Sequence, residues 1–507
     1  MKVLITYFLK AFFIGICVIL INIILISCDF KVTHKPSSFK EDRKAVVTSF
    51  VDGIKNTYHI PGIAFTIVHQ DSIFSNAVGI KNDNGESIVP TTAISTGSLS
   101  EPLLAYAILK LSESGKIDLD DKVVKYLPYF KMRGESYKLI SIRNLLTHSS
   151  GIDHYSLFYD NPSFSFDALE TTTRSIENQT PKWEIPKLQV LRSAYNYDIL
   201  ADLISKVAGI PFEEYVRKSI FMPIQMENAS FSRPSGSAEP FQTVDFLDYS
   251  FKKQKLYPYN RENGGSRGGH ASAVDMGKWM FHVLNEKNSV FFNKELKTGY
   301  QTAVGFGWDI YTDESGVDIF SKDSEFGGFT SQMIMIPSLK IGVVVLSNIY
   351  NAFNSSKITS LIVSWLVNGT ALSIKTPVHL KMGLLIKKTG NTKEAIDLYQ
   401  KIKKEKSSKY DLSLTSLLQL GMNLAHRENK PNAAIEIMKF STNEYPNSCK
   451  AALELAECYL IKRDLPMCKS QIKHAGLLKE DTIGRSAMIE YLNEKMEIIE
   501  EKKVVIN

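Results

Sequence analysis

Four short runs of β-branched and apolar residues lie at the two ends of the segment 62–346. The runs 62–68 and 72–80 come at its start, and the runs 331–336 and 341–346 come at its end. Runs of this kind, bounded by Asp, Gly, Pro and Asn, predict β-strands. Because a strand must pair its backbone N–H and C=O groups with a neighbouring strand, we expect one sheet built from both ends of this segment.

The residues between these strands show helical spacing. Leu103, Ala107 and Leu111 recur every four residues, and Gly115 follows them as a helix-ending residue. Strands at both ends with helices between them predict an α/β domain, which we place at residues 45–370.

A second domain begins where the strand signals end, at residues 373–377, because Lys, Glu, Leu and Ala dominate from there on. One set of five small and large apolar residues occurs three times with identical internal offsets, at steps of 38 and 35 residues. The three copies are Gly383, Ile386, Ala395, Tyr399 and Ile402; Gly421, Leu424, Ala433, Ile437 and Phe440; and Ala456, Tyr459, Cys468, Ile472 and Ala475. The pattern resembles the tetratricopeptide repeat, which implies an all-α repeat domain over 378–500 with a concave surface for a protein partner. An unrelated helical bundle is the alternative, since such spacing is common in helices.

The N-terminus carries an apolar run from Ala11 to Ile26, interrupted only by Asn22. A run of this length after lysines predicts a secretory signal peptide, and therefore export. Residues 25–28, Leu-Ile-Ser-Cys, resemble a bacterial lipoprotein signal, which implies a signal peptide over 1–27 and lipidation of Cys28. An uncleaved helical anchor is the alternative. Either outcome predicts a protein of the bacterial cell envelope, membrane-anchored on the extracytoplasmic side, with residues 28–44 as the lipidated cysteine and its polar tether.

Composition excludes several classes of protein. Of the 507 residues, 44% are hydrophobic and 22% are charged, as in soluble globular proteins. The net charge of +6 is mild and is not concentrated on an arginine-rich face, so we expect no nucleic acid partner. No His, Cys or carboxylate cluster has metal-ligand spacing, so we expect neither a metal nor a cofactor. Cys449, Cys458 and Cys468 are predicted to be buried, with a disulfide between two of them left open.

Several motifs follow one another in a fixed order along the first domain. They are Ser-Leu-Ser-Glu at 98–101, the stretch 115–128, Leu-Leu-Thr-His-Ser-Ser-Gly at 145–151, the stretch 209–231, Gly-Phe-Gly-Trp at 305–308, Gly-Gly-Phe-Thr at 327–330 and the stretch 341–348. Together they resemble the β-lactamase and penicillin-binding family of serine hydrolases, including its class C β-lactamase-like and D,D-peptidase-like members. The resemblance implies an antiparallel sheet built from N- and C-terminal segments, a helical subdomain, and acyl-serine chemistry on a β-lactam, a D-Ala peptide or an ester.

The resemblance assigns the family's catalytic roles to five positions. Ser98 stands at the position of the nucleophile, and Glu101 replaces the lysine that shares the nucleophile's proton. In the second motif, Arg192 replaces the proton-relaying tyrosine and Ala194 replaces the asparagine that holds the substrate amide. In the third motif, Lys322 keeps a positive charge, but Lys-Asp-Ser at 322–324 lacks the glycine that lets substrate approach the strand.

Two geometric expectations follow from these replacements. The side chains at 101 and 192 touch in the family, so Glu101 and Arg192 are predicted to form an ion pair, with Lys322 as a further partner. A carboxylate paired in this way has a lowered pKa and is a poor base for a serine. The alternative is an error of register near Arg192. His148 lies in the 145–151 motif and is predicted to be a hydrogen-bonded scaffold residue rather than a base.

Three functions are open to such a chain. The first is an envelope serine hydrolase with weak or altered acyl transfer through Ser98. The second is a pseudoenzyme that uses the same fold to bind a cell-wall peptide or another acyl ligand. The third is a protein-interaction scaffold that works through its helical repeats. The residues missing from the catalytic set favour the second.

Overall fold

The computed structural model describes residues 40–504, except 155–161, 184, 186–188, 287–289, 351–354 and 479–484. These residues form two compact units. The first, the sheet unit, contains residues 40–243 and 251–372, and the second, the helical unit, contains residues 373–504 together with the short segment 244–250. The predicted signal peptide, Cys28 and most of the predicted tether lie outside the described residues.

The sheet unit is built on an eight-stranded antiparallel sheet with the strand order β2-β1-β12-β11-β10-β9-β8-β7. The strands of this unit are β1 (Gly62–His69), β2 (Ser72–Gly79), β3 (Ile94–Ser95), β4 (Phe241–Thr243), β5 (Phe251–Lys253), β6 (His270–Ala271), β7 (Leu296–Lys297), β8 (Thr302–Val304), β9 (Asp309–Thr312), β10 (Asp318–Phe326), β11 (Phe329–Ile336), β12 (Ile341–Ser347) and β13 (Ile349–Tyr350). Strand β1 pairs with β2 and with β12, so that Ile63 lies opposite both Val78 and Ser347. The predicted joining of N- and C-terminal strands in one antiparallel sheet is therefore confirmed.

Ten helices accompany this sheet. They are α1 (Glu41–Thr57), α2 (Ser100–Glu113), α3 (Val123–Tyr126), α4 (Ile142–Leu146), α5 (Ala168–Ser175), α6 (Ala194–Ala208), α7 (Phe212–Val216), α8 (Gly264–Arg267), α9 (Ala273–Asn285) and α10 (Ser355–Asn368). Helices α9 and α10 pack against the central strands β1 and β11, respectively. Helix α2 is apolar nearly all round, and its residues from Ser100 to Leu109 are all buried. A helix of this kind must lie inside its domain, which gives its first turn a buried and well-defined position.

The helical unit contains two short paired strands, β14 (Thr376–Pro377) and β15 (Tyr410–Asp411), and seven helices. The helices are α11 (Val378–Thr389), α12 (Thr392–Lys404), α13 (Leu414–Met422), α14 (Pro431–Glu444), α15 (Cys449–Ile461), α16 (Leu465–Leu477) and α17 (Arg485–Val504). Cys449, Cys458 and Cys468 are buried in this unit and form no disulfide with one another. None of the helices described in this structure combines the length and the apolar character needed to cross a bilayer.

Candidate active site

The candidate nucleophile lies at the entrance to the buried helix. Ser98 belongs to the 3₁₀ turn Gly97–Leu99, which leads directly into α2. Its side chain is partly exposed, whereas Leu99 and Ser100 on either side of α2's start are buried. Pro102 lies in the first turn of α2, where its missing N–H removes no intrahelical hydrogen bond.

The backbone of this turn is covered by a side chain from the sheet. The Ser98 N–H donates a hydrogen bond to Ser324 Oγ on β10 at 2.8 Å. The approach is so close that a Cβ atom on Gly97, whose φ is +51°, would lie 2.1 Å from the same oxygen. In serine acyl transfer the nucleophile's N–H is a usual donor to the developing oxyanion. Ser324 therefore occupies the donor that an acyl substrate would need.

Three ionisable side chains meet directly behind this turn. Glu101, Lys322 and His148 are 6%, 5% and 4% exposed, respectively. Lys322 Nζ donates to Glu101 Oε2, and His148 Nε2 lies 3.3 Å from the same oxygen. Lys322 and Ser324 are two residues apart on β10, so both point to the same face of the sheet. This alternation brings the ammonium group to Glu101 and the hydroxyl group to Ser98.

The hydrogen bonds of His148 determine its tautomer. The Ser193 N–H points to His148 Nδ1 at 3.4 Å, and the Asn196 amide nitrogen lies 3.0 Å from the same atom. Asn196 Oδ1 accepts a hydrogen bond from the Ser150 hydroxyl, which directs its NH₂ group to the histidine. Because Nδ1 accepts, the proton of the neutral ring lies on Nε2 and is donated to Glu101. His148 is therefore a scaffold residue, as predicted.

The pKa values of the three groups reflect burial and charge together. Burial raises the pKa of Glu101, but the charges of Lys322 and His148 outweigh this effect and hold it at about 2. Burial lowers the pKa of Lys322, and Glu101 opposes this change only in part. Burial also lowers the pKa of His148, which keeps the ring neutral near pH 7. A carboxylate with so low a pKa does not accept a proton from a serine near neutral pH.

The stability of the sheet unit should therefore depend on the ionisation of Glu101 at acidic pH. Its pKa is about 2 in the folded chain against an ordinary 4.5, so its contribution is complete above about pH 5 and is lost as the pH falls towards 2. A difference of this size corresponds to roughly 3 kcal/mol. We expect the stability difference between the wild type and Glu101→Gln, measured by urea unfolding, to shrink over this pH range. A difference that stayed constant from pH 7 to pH 2 would contradict the assignment.

The predicted ion pair between Glu101 and Arg192 is wrong. Arg192 pairs with Asp309 at the start of β9, and its side chain is 46% exposed. Arg192 precedes the N-cap of α6, Ser193, and therefore extends along the surface instead of into the site. Lys322, the further partner that the sequence suggested, is the cation that pairs with Glu101.

The second motif supplies a different amide from the one that the family pattern locates. Ala194 is the first residue of α6 and is buried, so its methyl group can hold no substrate amide. Asn196, two residues later, is fully buried and binds both Ser150 and His148. Sequence reasoning missed this role of Asn196. The available signal was a polar residue at a position surrounded by apolar helix residues.

The arrangement holds a serine without a base. Among the described residues, no hydrogen bond joins the Ser98 hydroxyl to a carboxylate, a lysine or a histidine. In the same part of the chain, no group of three His, Cys, Asp or Glu residues is placed to hold a metal ion. The site can therefore present a partly exposed hydroxyl group and a buried ion pair, but it offers no proton acceptor for acyl transfer.

Comparison with known proteins places this site in a family. The Beta-lactamase family model matches residues 45–360, which is more than half of the chain. PbpX of Bacillus subtilis, whose name places it among penicillin-binding proteins, is 29% identical over 267 residues, or 52% of this chain and 63% of PbpX. The protein flp of Staphylococcus aureus is 26% identical over 308 residues, or 58% of this chain and 61% of flp. The chain thus spans less than two thirds of the length of these curated relatives.

Two solved structures share the fold. The octameric penicillin-binding protein homologue from Pyrococcus abyssi superimposes with a TM-score of 0.53 at 23% identity, covering 68% of this chain and 81% of that one. The beta-lactamase/D-alanine carboxypeptidase from Pseudomonas syringae superimposes with a TM-score of 0.54 at 13% identity, covering 64% and 98%. At these identities the likeness concerns the fold alone. Taken with the match of the family model, it means that the chain belongs to the beta-lactamase family.

Proposed function

We propose that this chain is a cell-envelope binding module that keeps the fold of a serine hydrolase and has lost acyl-serine turnover. The observation that carries the proposal is the pairing of Glu101 with Lys322, because it places an ionised carboxylate where the family has a proton-accepting lysine. The Ser98 N–H, already bonded to Ser324 Oγ, supports the proposal independently.

The ligand class is proposed from the chemistry of the relatives. A penicillin-binding protein name and a D-alanine carboxypeptidase title both refer to acyl-D-alanine-like compounds. Ser98 lies partly exposed at a helix N-terminus, where a carboxylate or acyl oxygen would be favoured. We therefore propose a cell-wall peptide or a related acyl compound, held without covalent reaction.

The envelope location belongs to the same proposal. It depends on the apolar run 11–26 and on Cys28, which are interpreted from the sequence as a signal peptide and a lipidation site. The tetratricopeptide-like nature of residues 378–500 is a proposal as well. It is supported by the succession of helices from α11 to α16, in which α11 packs on α12, α13 on α14 and α15 on α16.

Labelling with a fluorescent penicillin tests the loss of turnover. We expect no covalent label on the purified wild-type protein or on Ser98→Ala, because Ser98 has no general base and its N–H is occupied. The amount of label after gel electrophoresis is the measurement, and a known penicillin-binding protein serves as the positive control. Label on the wild type that disappears in Ser98→Ala would establish the alternative function, an active serine hydrolase with altered acyl transfer.

The variant Glu101→Lys provides a matched test of the missing roles. It should also remain unlabelled, because Arg192 and Ala194 still replace the tyrosine and the asparagine of the family pattern. Strong labelling of this single variant would mean that the lysine alone was missing and that the pseudoenzyme had lost activity at one position.

A further inference from the structure

A short segment from the first half of the sequence lies inside the helical unit. Residues 244–250, Val-Asp-Phe-Leu-Asp-Tyr-Ser, come between β4 and β5 in the sequence, yet they group with residues 373–504. Leu247 and Tyr249 are each 1% exposed, and Leu247 belongs to the hydrophobic core of the helical unit. The helices of this unit are therefore packed around a peptide that is distant from them in sequence.

The apolar part of this contact takes the place of a helix crossing. The predicted repeat assigns Gly383 to a close approach between helices, as at Gly421, where an added Cβ atom would lie 2.5 Å from Met438 Cε. At Gly383 the close neighbour is the peptide instead, since a Cβ atom there would lie 2.6 Å from the Leu247 carbonyl oxygen. Any larger residue than glycine at 383 would thus displace the peptide backbone from α11.

The backbone of the segment is recognised by side chains. Glu428 Oε1 accepts a hydrogen bond from the Phe246 N–H at 2.9 Å. Asn423 Nδ2 donates to the Phe246 carbonyl oxygen at 3.0 Å and to the Tyr249 hydroxyl at 3.2 Å. Side chains that bind both a peptide N–H and a peptide C=O group hold an extended segment in one register.

The side chains of the segment are also matched by charge and by aromatic contact. Lys387 on α11 forms ion pairs with Asp245, at 2.7 Å, and with Asp248. The Arg427 guanidinium lies 5.1 Å from the centre of the Phe246 ring. The Tyr249 hydroxyl is 3.3 Å from His379 Nε2.

Three of the residues that bind the segment share one irregular part of the helical unit. Asn423 and Arg427 are the first and last residues of a π-helical turn that follows α13, and Glu428 is its C-cap. Single π-turns distort a helix at a cost and are frequent at functional sites. Here the turn directs an amide, a guanidinium and a carboxylate to the same peptide.

We propose that the helical unit is a peptide-binding module whose site is filled by residues 245–249 of its own chain. An outside partner must then carry the same order of groups, acidic, aromatic, leucine, acidic and aromatic, and must compete with the internal segment. An intramolecular ligand competes with an effective concentration of about 1 mM, so the site is closed to weak partners at rest. This inference deepens the proposed role of the repeats, and it does not depend on whether Ser98 reacts.

A free peptide with the sequence of residues 244–250 provides the first test. In the full chain, residues 245–249 are replaced by Gly and Ser, and binding of the fluorescein-labelled peptide is measured by fluorescence anisotropy. We expect this variant to bind the peptide at least about tenfold more tightly than the wild type, whose site is occupied. Adding Asn423→Ala to the replaced variant should abolish the gain. Equal binding by a replaced variant with wild-type helicity would overturn the proposal.

A charge exchange tests the same site without removing the segment. The full-chain variant Lys387→Glu repels the internal Asp245 and Asp248, and should accept a peptide in which both aspartates are replaced by lysine. We expect this peptide to bind Lys387→Glu about tenfold more tightly than it binds the wild type. If both chains bound it equally, the segment would be a structural connection and not a ligand. Penicillin labelling of Ser98 is a separate measurement, so failure of either proposal can be recognised by itself.

Discussion

Replacing Lys322 with methionine is expected to lower the free energy of unfolding of the sheet unit by about 3–5 kcal/mol at pH 7. The variant leaves Glu101 ionised and buried, with only the neutral His148 to donate to it. Removing one member of a buried ion pair costs this much because the remaining charge has lost both water and its partner. Urea unfolding followed by tryptophan fluorescence measures this unit by itself, since Trp183, Trp279, Trp308 and Trp365 all precede residue 373.

The double variant Glu101→Gln/Lys322→Met is the control for this experiment. Its glutamine carries no charge and can still accept the hydrogen bond from His148 Nε2, so it should recover most of the lost stability. The ion pair would then be a device that defines the site and not a source of net stability. A loss below about 1 kcal/mol in the single variant would mean that water reaches the pair and that Glu101 is not held in an apolar environment.

Replacing Gly307 with alanine is expected to destabilise the sheet unit by about 2–5 kcal/mol. Gly307 has a φ of +81°, and an added Cβ atom would lie 2.7 Å from both the N and the Cα atoms of Pro102 and 3.0 Å from the carbonyl carbon of Glu101. The strain of a left-handed alanine would thus be added to a collision with the backbone that positions Glu101. The same fluorescence measurement gives the loss.

Gly316 provides a matched control for Gly307. Its φ is +84°, and nothing lies within 4 Å of a Cβ atom built on it. Gly316→Ala should therefore cost only the conformational strain, about 1–2 kcal/mol. If the two variants lost equal stability, Gly307 would be required only for its backbone angle, and its contact with the 101–102 peptide would have no energetic importance.

Much of the fold could be predicted because its signals are local and periodic. The predicted strands 62–68 and 341–346 differ from β1 and β12 by one residue at their C-terminal ends. Strands β7, β8 and β9 were missed, since they are two to four residues long and alternate too briefly to form a pattern. The sequence boundaries also place residues 244–250 within the first domain, whereas these residues group with the helices.

The candidate site was predictable in its residues and not in its contacts. Aligning motifs by order locates Ser98, Glu101 and Lys322 without any knowledge of geometry. The partner of Glu101 depends on which strand faces α2 and on which side chains of that strand point inwards. One residue of difference in register on β10 would direct Lys322 and Ser324 to the opposite face of the sheet. Arg192 could not be placed for a similar reason, since Asp309 is distant from it in sequence.

The sequence by itself determined that a serine hydrolase fold is present and that its lysine, tyrosine and asparagine are replaced. Those facts depend on residue types and on their order along the chain. Only the tertiary structure decided that Glu101 pairs with Lys322, that Ser324 covers the Ser98 N–H, and that the helical unit encloses residues 245–249. Each of these contacts joins residues more than one hundred positions apart. Their formation depends on strand register, burial and the cost of leaving a buried charge or N–H unpaired, which are properties of the folded chain.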